Sequence, residues 1–61
     1  MAQITEKELS AISDLLTMEQ NLVAKYKAYA STATEPALKD RYEQIAQNHQ
    51  RHFDELYANL K

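Results

Sequence analysis

The chain has 61 residues, 44% of them hydrophobic, with no Gly, no Cys and one Pro, and a net charge of −2 from seven basic and nine acidic residues. That length allows one domain with a marginal core, which leans on a disulfide, a metal or a partner chain for stability. Disulfides and thiolate metal sites are excluded by the missing cysteines, and the charges are interspersed with no basic block, which argues against nucleic acid as a partner.

The first pattern opens at Thr5-Glu6-Lys7-Glu8, which matches a capping box: the Thr5 hydroxyl can accept from the Glu8 N–H while the Glu8 carboxylate reaches back. Ahead of it, Met1 to Glu8 carries no apolar run behind a basic segment, so no secretory signal is recognisable. A helix is expected over residues 5–33. Its seam falls on Thr5, Glu8/Leu9, Ile12, Leu15/Leu16, Leu22/Val23, Tyr26, Tyr29/Ala30 and Ala33, a largely apolar stripe interrupted by Glu19, with Met18 off the seam.

The turn is expected at residues 34–35. Pro36 fits the first turn of a second helix, where its missing N–H costs nothing, and Thr34 or Glu35 would cap that start. The second helix is expected over residues 36–60, with a seam of Leu38, Tyr42, Ile45/Ala46, Phe53, Leu56 and Leu60 interrupted by His49 and His52. Neither helix holds an apolar stretch near the ~20 residues that span a bilayer, so no membrane partner is expected and the default setting is cytoplasmic.

The expected fold is all-α, a two-helix antiparallel hairpin. Folded at residues 34–35, it places at one height those residues whose numbers sum to roughly 70, since both helices rise ~1.5 Å per residue. Glu19 then faces the level between His49 and His52. A lone hairpin leaves Leu16, Val23, Phe53 and Leu60 partly in water, so two copies are expected to pack face to face as a homodimeric four-helix bundle.

Glu19, His49 and His52 are the candidate metal ligands. Carboxylate and imidazole on facing helices are recurring donors in bundle cores, and His49 and His52 stand three residues apart, able to aim at one point. The same residues can equally form a metal-free polar layer, with Glu and His satisfying one another and fixing register. Tyr26, Tyr29 and Tyr42 read as core filling near the turn. Mixed charges such as Lys25, Lys39, Asp40 and Arg51 read as solvated surface, and no catalytic nucleophile set is laid out.

The stretch Leu15-Leu16-Thr17-Met18-Glu19-Gln20-Asn21-Leu22, with Tyr26, then Ala37-Leu38-Lys39-Asp40-Arg41-Tyr42 and the run to Leu56, resembles the helical hairpin of ferritin-like proteins. More narrowly, it resembles the bacterial spore coat protein F-type family, over about residues 9–60. In rubrerythrin-like members of the superfamily a Glu on the first helix and a Glu-x-x-His on the second bind a di-iron centre. Glu19 matches the first Glu and His52 the His, while His49 stands where the second Glu is expected. That replacement lowers the negative charge available to balance two ferric ions, which argues against redox di-iron chemistry and leaves a divalent metal such as Zn, Ni or Cu; the cofactor expected is a divalent metal, Zn or Fe.

The resemblance implies a ferritin-like bundle with a non-enzymatic structural or assembly role of spore coat type. It implies a spore-associated or cytoplasmic location, and other coat or assembly proteins as partners besides a second copy. The alternative is a small metal-binding or relict di-metal protein using Glu19, His49 and His52.

Overall fold

The computed structural model describes residues 4–60, and they form two helices and no strand: α1, Glu6–Thr32, and α2, Pro36–Ala58. The expected spans are trimmed by a residue or two at the ends, where helices fray or tighten. Thr5 lies just outside α1 as its N-cap, and Asn59 and Leu60 form a closing turn, with the Leu60 N–H donating to the Tyr57 carbonyl at 3.0 Å.

The start of α1 is the expected capping box. The Thr5 hydroxyl oxygen accepts from the Glu8 N–H at 3.1 Å, and the Glu8 carboxylate accepts from the Thr5 N–H at 3.3 Å. Two otherwise orphaned helix donors are thereby satisfied. At the other end of α1 there is no Gly and no basic residue to meet the last carbonyls. The hydroxyls of Ser31 and Thr32 donate instead to the Ala28 carbonyl, at 2.7 and 3.3 Å.

The chain then turns through extended Ala33 and Glu35, without a positive φ among the described residues. Glu35 caps α2 through its backbone alone: its carbonyl accepts from the Lys39 N–H at 3.0 Å, and its side chain makes no capping hydrogen bond. Pro36 occupies the first turn, as expected.

The interior is thin. Among the described residues only Glu19, Val23, Ala30 and Ala46 are buried. Val23 is 7% exposed, so the hairpin covers it without help, contrary to the expectation that it would stay partly in water. Leu9, Leu16, Val23 and Ala30 repeat every seven residues down one line of α1, and the burial of Val23 and Ala30 shows that the turn-side half of that line faces α2. Leu16, Phe53 and Leu60 are partly covered, as expected.

The outer flanks differ. Ile4, Leu9, Leu15, Met18, Tyr29, Leu38 and Tyr57 remain exposed. The body measures 47 × 16 × 10 Å and is one helix layer thick. Glu19 stands at the midpoint of α1, thirteen residues from each end.

A candidate metal centre on the facing helices

Glu19 reaches from α1 toward α2, where His49 and His52 follow one another by one helical turn and so project in similar directions. The three meet as the fold-back arithmetic anticipates. His49 Nδ1 lies 2.5 Å from Glu19 Oε1, and His52 Nδ1 lies 3.3 Å from Glu19 Oε2, so each carboxylate oxygen has its own imidazole. No buried side-chain nitrogen or oxygen among the described residues lacks a hydrogen-bond partner.

Exposure rises across the cluster. The side chain of Glu19 is 9% exposed, that of His49 25% and that of His52 44%, so the group opens to one side of the hairpin through His52. The imidazoles themselves meet edge to face, with centroids 5.5 Å apart and planes at 84°.

One supporting ring was not anticipated. Tyr26 lies roughly parallel to His49, its centroid 6.4 Å away. Read from the sequence, Tyr26 is core filling near the turn, and it does touch Tyr29 and Tyr42 there, at 5.5 and 5.9 Å between centroids. The available signal was its spacing of seven from Glu19, which puts it on the same line of α1, one heptad nearer the turn.

The donor set is two imidazoles and one carboxylate, with one ligand atom from each lying within 4.8 Å of the others. A zinc ion bound at ~2.0–2.2 Å to each would hold such atoms somewhat closer, a change within reach of side-chain rotation. Two His and one carboxylate suit Zn or divalent Fe and leave coordination positions open. Without a metal, the same contacts make a closed polar layer. No described helix is long and apolar enough to cross a membrane. No protein-family model, curated protein or solved structure matches the chain, so the chemistry of the cluster is read from its own geometry.

Proposed function

We propose that this chain is a non-enzymatic structural or assembly protein of spore coat type, working as half of a ferritin-like four-helix bundle that two copies complete. The observation that carries the pairing is surplus surface. A compact monomer of 7.0 kDa exposes roughly 4,000 Å² by the size scaling of folded proteins, whereas this hairpin exposes 4905 Å². The excess of roughly 900 Å² is what one side of a standard protein interface covers, about 800 Å².

Shape supports the same reading. A compact 61-residue domain has a radius of gyration near ~10.5 Å and a compact 122-residue one near ~14 Å; the hairpin alone reaches 14.5 Å. The excess is that of a rod 47 Å long and one helix layer thick, whose two broad faces are not covered by any other part of the described chain. The coat role and a cytoplasmic or spore-associated setting, with other coat proteins as further partners, are supported by the resemblance of residues 9–60 to the spore coat F-type hairpin.

Light scattering tests the pairing: a mass near twice 7.0 kDa at micromolar concentration is expected, and a folded monomer overturns it. A second reading is favoured by the two-His, one-carboxylate geometry, namely that the bundle holds a divalent ion through Glu19, His49 and His52. Elemental analysis of protein purified without chelator or affinity metal decides it. About one or two ions of Zn or Fe per dimer establish a metalloprotein, and a metal-free dimer leaves the three residues as a polar layer.

A further inference from the structure

We infer that the second copy covers one particular flank of the hairpin, the one formed by Leu15, Leu22 and Tyr29 of α1 with Leu38 and Ile45 of α2, onto which His52 opens. The inference rests on the proposed two-copy bundle and adds to it the face that is used.

The flank is defined by spacing. Leu15, Leu22 and Tyr29 repeat every seven residues, and so do Leu38, Ile45 and His52, so each set runs straight down one line of its helix. The two lines lie on the same side of the hairpin, because Tyr29 and Leu38 line one groove together with Tyr42 at the turn end. Leu15, Tyr29 and Leu38 are each more than 40% exposed, and Leu22, Ile45 and His52 are only partly covered.

The opposite flank is built differently. Its groove is walled by Lys27, Glu43, Gln47 and Gln50 over Ala46. The lines that border it, Leu9, Leu16, Val23 and Ala30 on α1 and Ala46, Phe53 and Leu60 on α2, carry small or buried side chains toward the turn and larger, less covered apolar ones only toward the open end of the hairpin. A contact there would cover only part of the length, whereas the Leu15 to Ile45 flank extends from the turn past the level of Glu19.

Area fits a second copy. The accessible surface this hairpin carries beyond that of a compact monomer of its mass, roughly 900 Å², compares with the ~800 Å² that each partner of a stable interface buries. Along the outer edge of α2 beside this flank stand exposed Arg41, Asn48 and Glu55, again every seven residues, which gives an apolar strip with a polar rim. Pairing here covers the exposed side of His52, so the Glu19, His49 and His52 cluster becomes interior on all sides.

The test uses the unaltered chain. A dimer assembled from isotope-labelled and unlabelled copies is probed by filtered nuclear Overhauser contacts, which report only approaches between copies. Contacts from the methyl groups of Leu15, Leu22, Leu38 and Ile45 are expected. A dimer whose contacts come from Leu9, Leu16 and Phe53 overturns the face while leaving the two-copy bundle standing; a monomer by light scattering overturns both. As a second readout, Leu15→Lys and Leu38→Lys should each weaken pairing at least about tenfold in Kd, and Leu9→Lys less than about threefold. The reverse order overturns the assignment.

Discussion

Tyr26 and His49 stack across the helix pair, their ring planes 17° apart and their centroids separated by 6.4 Å. The imidazole is thus held by a carboxylate on one ring nitrogen, a second imidazole at its edge and a phenol alongside. Replacing Tyr26 by Leu keeps an apolar side chain at the position but removes the ring. Stability is expected to fall by about 1 kcal/mol, the usual worth of an aromatic pair beyond its area. The His49 ring-proton resonances should shift as the Tyr26 ring current is lost, a change that unaltered His52 resonances would localise.

The carboxylate and its two partners respond in opposite directions to substitution. Glu19→Leu replaces a buried polar group by an apolar one of similar size in an apolar seam, and should leave the urea midpoint unchanged or raise it. Changing His49 and His52 together to Ala instead strands a carboxylate that is only 9% exposed. That loss is expected to cost about 2 kcal/mol, less than the ~3–5 kcal/mol of a fully buried pair because the His52 side is open. If the cluster holds a divalent ion, Glu19→Leu also abolishes any rise in melting temperature on adding Zn, since binding to the folded state stabilises it by mass action.

Ala46 is 3% exposed, where the helices approach. Ala46→Leu must either spread the two helices or turn its larger side chain into the groove walled by Lys27, Glu43, Gln47 and Gln50, and a loss of about 1 kcal/mol in chemical denaturation is expected, at the low end for overpacking because that groove is open. The neighbouring exposed Gln47→Leu, on the same helix, should change stability by less than about 0.5 kcal/mol.

Thr5→Ala removes the hydroxyl that accepts from Glu8 and leaves the Glu8 carboxylate only the backbone of residue 5. A cost of about 1 kcal/mol is expected, with faster amide exchange confined to the first turn of α1. Spread of that exchange to the Glu19 level would mean the cap holds more of the hairpin than its own turn.

Much of this was legible in the chain because the governing rules are local. The capping box at Thr5, the stop before Pro36 and the heptad lines follow from side chains acting on their own helix. The meeting of Glu19 with His49 and His52 followed from one fold-back point and a fixed rise per residue, which leave little freedom in an antiparallel pair. Lateral detail was harder. Val23 was expected to stay partly in water, because a seam two residues wide does not say which of its edges faces the neighbouring helix; that depends on the rotation of α1, and the fold turns the Val23 edge inward. Tyr26 does meet Tyr29 and Tyr42 at the turn end as expected, but its added contact with His49 was not legible, because a large ring spans more than its own level and its reach depends on rotamer. Met18 stands off the seam in the sequence and is exposed in the fold, so there the two agree.

The placement of Glu19 at the midpoint of α1 has a mechanical consequence for any symmetric pair. A polar layer at mid-length returns to the same height when the partner is turned end for end, so it sets the axial offset of two copies without setting their relative direction. Sliding one hairpin by a single helical turn, ~5.4 Å, would bring the ionisable side chains of one copy against Leu15 or Leu22 of the other. In the proposed pair the cluster would therefore act as a detent. Apolar strips alone slide past one another at little cost, while a polar notch at the centre would hold the proposed pair flush, ends level with ends.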